Sequence, residues 1–160
     1  ALVYENNVRD LYVEASQEAT EEVGQRIFRT LAKEEQSHVD YLEMCLAEWE
    51  KSGRVVPKTL ETILPSREKI AEAVGRLEQK ITEYDWTIEI ELLRKARQME
   101  AETGAFYKKM VESLDEEGAA LFRDFLEIED AHYDLVQAQM DALQGGGFWF
   151  DAMEFNLEGA

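Results

Sequence analysis

The sequence repeats a set of chemically distinctive residues at a nearly constant distance. Glu5 is followed by Tyr12 and Glu100 by Tyr107, so the two pairs share one spacing and lie 95 residues apart (100 − 5 = 95). Each of the two histidines has a glutamate three residues before it, and these pairs lie 94 residues apart (132 − 38 = 94). The chain therefore consists of two similar halves, each with Glu, Tyr and Glu-x-x-His.

The pattern of the whole chain is helical. Only two prolines and nine glycines occur, and apolar residues recur at helical spacing with almost no strand-like alternation. We predict long helices over 1–19, 20–51, 86–113 and 116–143, and a short helix over 67–82. The cap and stop signals behind these bounds are Thr20, Gly53, Ser66, Asp85, Ser113, Asp115 and 145–147. The first helix has no cap residue, which we interpret as a helix that begins before Ala1.

The lengths of the loops predict the topology. Short loops join the first helix to the second and the third to the fourth, so each pair should be antiparallel. The connection between the pairs includes the linker 52–66 and must cover roughly 45 Å, at about 1.5 Å per helical residue. The predicted fold class is all-α, a four-helix bundle with one long crossover. Residues 1–143 form this domain, and the aromatic tail 144–160 is expected to pack on the bundle or on a partner.

Composition excludes several classes of function. A net charge of −18 disfavours binding to nucleic acid and to anionic membranes, and no apolar run is long enough to span a membrane. Cys45 is the only cysteine, which rules out an intrachain disulfide, a four-thiolate metal site and a Cys-x-x-Cys redox motif. No signal peptide is visible, so we expect a cytoplasmic location.

The repeated residues have the chemistry of a metal site. Residues three apart on a helix share a face, so each Glu-x-x-His pair can hold one ion. Two such pairs and two single glutamates, all directed inward, form the ligand set of di-iron or di-manganese carboxylate bundles. The predicted ligands are Glu5, Glu35, His38, Glu100, Glu129 and His132. Their four carboxylates balance two divalent ions, whereas without metal their burial would be very costly.

Other residues are assigned by position. Seven residues is nearly two helical turns, so Tyr12 and Tyr107 should lie above Glu5 and Glu100 and hydrogen-bond a carboxylate of a neighbouring helix. Cys45 is interpreted as a small core or interface residue. The remaining acidic residues near the motifs are interpreted as solvated surface: Glu34, Glu89, Glu91, Glu102, Glu127 and Asp130.

At these motifs the chain resembles the rubrerythrin branch of the ferritin-like superfamily. The segments "LAKEEQSHVDYL", "EAETGAFYKKM" and "FLEIEDAHYDLV" are similar to the family's ligand motifs, and the likeness covers about 1–143. The resemblance implies that Glu35 and Glu129 bridge two irons, that Glu5 and Glu100 are terminal ligands, and that the histidines complete the two ends. Thr103 stands where rubrerythrins have an additional glutamate.

The resemblance also implies a function. Rubrerythrins reduce hydrogen peroxide at a di-iron site, usually as homodimers, so we expect an oxidoreductase that acts on peroxide or dioxygen in oxidative-stress protection. With one cysteine, the chain lacks the four-cysteine rubredoxin domain of rubrerythrins, so its electrons would come from a separate donor such as a rubredoxin. Manganese or a mixed metal pair fits the same ligands. Two alternatives are a ferroxidase or iron-handling protein and a metal-binding bundle without turnover.

Overall fold

The computed structural model describes residues 1–55, 58–60, 62–75 and 84–149. Within those ranges the chain forms five α-helices and no strand. They are α1 (Leu2–Glu18), α2 (Glu22–Ser52), α3 (Arg67–Gly75), α4 (Thr87–Ser113) and α5 (Glu116–Gly146). The four long helices confirm the predicted all-α, ferritin-like four-helix bundle.

The long helices associate as two hairpins. Helix α1 packs along α2 and α4 along α5, and α1 also contacts α4, which joins the hairpins. The short helix α3, in the crossover, contacts α5, where Arg67 pairs with Asp130 and Asp134. The described part of the crossover therefore packs on the outside of α5, and the centre of the bundle is formed by the four long helices.

The repeat in the sequence is also a repeat in the structure. Helices α2 and α5 each have 31 residues, and both their first and last residues are 94 apart. Each ends at a left-handed glycine with a φ of 68°, Gly53 and Gly147, a conformation that glycine adopts without steric cost. Helices α1 and α4 end 95 residues apart, and the offset changes because the loop 19–21 is one residue longer than the loop 114–115.

Two predicted helix boundaries need correction. Thr20 does not cap α2, which begins at Glu22. Its backbone N–H and hydroxyl instead donate to Glu89 Oε1, at 2.9 and 2.6 Å. Helix α5 runs to Gly146, beyond the predicted residue 143, because its cap is the third glycine of the run. Asp115 caps α5 as predicted and accepts the N–H of Gly118. The predicted end of the short helix, 76–82, lies outside the described residues.

The start of the C-terminal tail contacts the bundle. Trp149 is buried and packs edge-on against Phe28, with ring centroids 5.8 Å apart. It lies so close to Gly24 that a β-carbon there would be 2.4 Å from the indole ring, which explains the glycine. The remaining tail, 150–160, is outside the described residues, so its packing stays a prediction. No helix in the described part of the chain is long and apolar enough to cross a membrane.

Candidate metal centre

Six charged or titratable side chains meet in the interior of the bundle, and none is more than 1% exposed. Each long helix contributes one or two of them because the Glu-x-x-His spacing places both members of a pair on one inward face. These side chains are Glu5 from α1, Glu35 and His38 from α2, Glu100 from α4, and Glu129 and His132 from α5. They are the six residues that the sequence predicted as ligands.

One end of the centre is organised around His38. Its Nδ1 atom lies 3.1 Å from Glu5 Oε2 and 3.1 Å from Glu35 Oε2, and 3.5 Å from Glu129 Oε1. Three carboxylates from three different helices therefore converge on a single ring nitrogen. One small cation can be enclosed by these four groups.

The other end is organised around His132. Its Nδ1 atom lies 2.8 Å from Glu35 Oε1 and 3.9 Å from Glu100 Oε1. The two imidazole rings are nearly parallel, with an interplanar angle of 4° and centroids 5.4 Å apart. Glu35 thus reaches one histidine with each of its oxygens.

This geometry gives two adjacent candidate ion positions. Glu5, Glu35, His38 and Glu129 place donor atoms within 4.8 Å of one another, and so do Glu35, Glu100 and His132. Glu35 belongs to both groups, as a bridging ligand would. Glu129 belongs to the first group only.

Two tyrosines connect the hairpins at the centre. The hydroxyl of Tyr12 on α1 donates to Glu100 on α4, and that of Tyr107 on α4 donates to Glu5 on α1. Both tyrosines are fully buried, and burial together with the neighbouring carboxylates raises the pKa of each phenol. The hydroxyls therefore remain protonated donors. Each is bonded to a carboxylate of a neighbouring helix, as the sequence predicted, and in both cases this carboxylate belongs to the opposite half.

Most of the carboxyl groups are electrostatically unfavourable as anions. Burial, followed by the charges of nearby glutamates, raises the pKa of Glu129 well above its ordinary value. Burial also raises the pKa of Glu5 and that of Glu100, the latter to about 7. Without a cation, these groups hold protons in a pH range where an exposed glutamate would be ionised.

Glu35 behaves differently because it lies between the imidazoles. Burial alone would raise its pKa, but His132 and His38 lower it below the ordinary value. Burial would lower the pKa of His38, but hydrogen bonds to Glu35 and Glu5 raise it to about 10. The pKa of His132 is also raised, against the effect of burial, chiefly by Glu35.

The unsatisfied atoms of the centre fit a pair of metal ions. Both oxygens of Glu129, one oxygen each of Glu35 and Glu100, and Nδ1 of His132 are buried without a hydrogen-bond partner. Buried polar atoms without partners are rare in native proteins, and a bound ion is one way in which such atoms are satisfied. Carboxylate and imidazole donors suit iron and manganese, and two divalent ions would neutralise four carboxylates.

Two glutamates that the sequence assigned to the surface are buried. Glu89 is fully buried and accepts both hydrogen bonds from Thr20, which attaches the α1–α2 loop to α4. Glu34 is 2% exposed and lies beside the centre, with one oxygen within 4.8 Å of a ring nitrogen of His38 and one of His132. The other four acidic residues assigned to the surface, Glu91, Glu102, Glu127 and Asp130, are exposed.

A cleft lies beside the centre, between α4 and α5. It has a volume of about 590 Å³, and the ligand candidates Glu100 and Glu129 line it together with Gly104, Ala105 and Lys108. A β-carbon at Gly104 would meet no atom within 4 Å, so the space beside this residue is open. The cleft therefore borders two of the six candidate ligands.

A four-helix bundle whose core holds paired carboxylates and histidines defines the class of ferritin-like carboxylate proteins. The sequence model of the rubrerythrin family matches residues 1–140, and the chain belongs to that family. No curated protein and no solved structure matches the chain.

Proposed function

We propose that this protein is a non-haem di-iron carboxylate oxidoreductase that reduces hydrogen peroxide or dioxygen. The observation that carries the proposal is the pair of buried donor groups that share Glu35. Membership of the rubrerythrin family supports iron as the metal. When bound, the iron pair would supply Lewis acidity and electrons.

The residues of the chain would perform the remaining tasks. Glu35 would contact both ions. Glu5, His38 and Glu129 would complete one position, and Glu100 and His132 would complete the other. The second position has only three protein donors, and a coordination position left open is typical of catalytic metal sites. The cleft beside Glu100 and Glu129 offers a route for a small oxidant, which favours a reactive centre over a purely structural one.

Reduction of peroxide to water needs an electron donor and protons. We propose that these electrons come from a separate protein such as a rubredoxin. We also propose that the protein acts as a homodimer. Thr103 is buried on α4 and replaces the additional glutamate that the family resemblance implies, so turnover would rely on the six remaining ligands.

The test compares Glu35→Ala with Glu43→Ala, which changes an exposed glutamate on the same helix. Wild type and the Glu43 variant should bind two Fe(II) ions per chain and oxidise them within the stopped-flow time range when mixed with peroxide. The Glu35 variant should no longer bind two ions, while circular dichroism shows the same helix content. Binding of two ions by the Glu35 variant would contradict the ligand assignment. Iron-loaded wild type that is inert to peroxide and dioxygen would contradict the enzymatic function.

Iron handling is the second candidate function. Two acidic residues, Glu112 and Asp130, line the cleft, and carboxylates at such an opening attract cations. A ferroxidase that stores mineral needs a large cage, which size-exclusion chromatography separates from a dimer. A dimer that turns over peroxide supports the first proposal, and a cage that accumulates iron supports the second.

A further inference from the structure

Glu34 is a buried carboxylate that the ligand set does not use. It precedes Glu35 on α2 and is only 2% exposed. Its Oε2 atom accepts the backbone N–H of Ile63 in the crossover, at 3.3 Å, and its Oε1 atom has no hydrogen-bond partner. A half-satisfied carboxylate in the interior is costly unless it serves another group.

The groups nearest to it are the two histidines. One Glu34 oxygen lies within 4.8 Å of a ring nitrogen of His38 and of a ring nitrogen of His132. The Nδ1 atoms of both rings face the carboxylates of the centre, and both Nε2 atoms are buried without a partner. The nitrogens left for Glu34 are therefore the two Nε2 atoms.

A histidine that binds a metal through Nδ1 carries a proton on Nε2, and this N–H needs an acceptor that fixes the ring. We propose that Glu34 is a positioning residue that accepts the Nε2–H groups of His38 and His132 and so directs both Nδ1 atoms at the ions. This inference rests on the proposed function, because it assumes that the imidazoles bind metal.

Glu34 does not qualify as a ligand of a third ion at the same place. Binding of an ion between Glu34 and the two Nε2 atoms would require both imidazoles to lose their second proton while Nδ1 already binds a metal. An N–H···carboxylate contact needs no such deprotonation. The equivalent residue of the second half, 94 residues later, is Ile128, which has no carboxylate. At this position of the repeat, therefore, Glu34 is the single acceptor that can serve both imidazole rings.

The experiment uses the full chain loaded with Zn(II), which is diamagnetic and binds the same donors. The variants are Glu34→Gln, which keeps the shape and a weaker acceptor, and Glu34→Leu, which removes the acceptor; Glu43→Gln on the exposed face of α2 is the control. Competition with a chelator gives the affinity, and nitrogen-15 NMR of labelled histidines reports the Nε2–H groups. A purely structural Glu34 would leave those N–H signals unchanged.

We expect Glu34→Leu to weaken zinc binding by about 10–100-fold, Glu34→Gln to weaken it less, and Glu43→Gln to leave it unchanged. The Nε2–H signals should be present and protected from exchange in wild type and should shift or exchange rapidly in the leucine variant. If both Glu34 variants keep wild-type affinity and wild-type Nε2–H signals, the positioning role is wrong while the metal centre stands. If wild type itself does not bind two zinc ions, the proposed function fails and this inference fails with it.

Discussion

Glu35 and Glu129 occupy the same position in the two halves of the bundle, yet their electrostatic surroundings are opposite. Glu35 contacts both imidazoles, which lower its pKa, whereas burial and three other glutamates raise the pKa of Glu129. In the metal-free protein the surroundings therefore favour the ionised form of Glu35 and disfavour the ionised form of Glu129. The repeat places the two side chains symmetrically, but the neighbours of each decide its charge.

The same contrast extends to residues next to the ligands. Glu34 in the first half corresponds to Ile128 in the second (34 + 94 = 128), and Val8 corresponds to Thr103 (8 + 95 = 103). All four are buried. The halves are thus alike in their donors and different in the groups beside them, and the two ion positions should not be equivalent.

The largest expected effect comes from neutralising the two equivalent glutamates in the metal-free protein. Glu35→Gln breaks a buried ion pair with both histidines and should lower the free energy of unfolding by about 3–5 kcal/mol. Glu129→Gln replaces a group whose ionised form is disfavoured by burial and by three neighbouring glutamates, so it should leave stability unchanged or raise it at neutral pH. Urea denaturation of both variants measures the difference, and equal losses would contradict the opposite surroundings.

The dependence on pH has a definite sign. Folding raises the pKa of Glu129 and that of Glu100, the latter to about 7, above the value of about 4.3 in the unfolded chain. The stability that these two groups contribute is complete below about pH 4.3 and is lost as the pH rises through their pKa values in the folded protein. Folding lowers the pKa of Glu35, so the stability that this group contributes is present above its unfolded pKa and is lost only as the pH falls through its pKa in the folded protein. The melting temperature of metal-free protein should therefore fall from pH 5 to pH 8, and Glu129→Gln should flatten this slope.

Removing the histidines should distinguish the two ion positions. His132→Ala leaves only Glu35 and Glu100 at the second position, so the protein should retain one ion per chain. His38→Ala leaves three carboxylates at the first position and should retain two ions, bound more weakly. Isothermal titration with Mn(II) measures both stoichiometries. The same stoichiometry for both variants would show that the positions are equivalent.

The tyrosines should give a smaller and more symmetric effect. Tyr12→Phe removes the donor to Glu100 and Tyr107→Phe the donor to Glu5, and each loss should weaken metal binding about 10-fold. Tyr12→Phe should act mainly on the His132 position and Tyr107→Phe on the His38 position. Titrations that resolve the two binding steps test this assignment, and an equal effect of either variant on both steps would refute it.

The smallest expected effect is that of Thr103→Val, three residues after Glu100 on α4. The Thr103 hydroxyl is buried without a partner, so Thr103→Val should stabilise the protein by up to about 1 kcal/mol. Val8→Thr, at the equivalent position, should destabilise it by about 1–3 kcal/mol because it buries a new hydroxyl. Thermal denaturation measures both. A loss of stability in Thr103→Val would show that its hydroxyl has a partner after all.

The helices and the meeting of six side chains could be predicted because they depend on local periodicity and on the repeat. The role of Thr20 could not, because its hydrogen bonds go to Glu89, 69 residues away. The surroundings of Glu34 likewise include the crossover, since the backbone N–H of Ile63 donates to its carboxylate. One signal was present in the sequence: the repeat aligns Glu34 with the apolar Ile128, a position typical of the core.

The repeat also predicts where α5 ends. Adding 94 to Gly53 gives Gly147, the observed left-handed cap, whereas the start of the glycine run suggested an earlier end. Two glycines within the last turn did not stop the helix because the backbone reverses only where φ becomes positive. The sequence could not determine which ion each carboxylate would contact, because that depends on how the hairpins dock.

The paired Tyr–Glu hydrogen bonds have a consequence for biosynthesis. They join residues 88 and 102 positions apart, whereas each hairpin can form from contacts between neighbouring helices. Contacts that close such long loops form late, so the hairpins should collapse before they dock. A chain still emerging from the ribosome would thus display acidic helices before the six inward side chains meet, and the proposed metal binding would wait until its last helix had been translated.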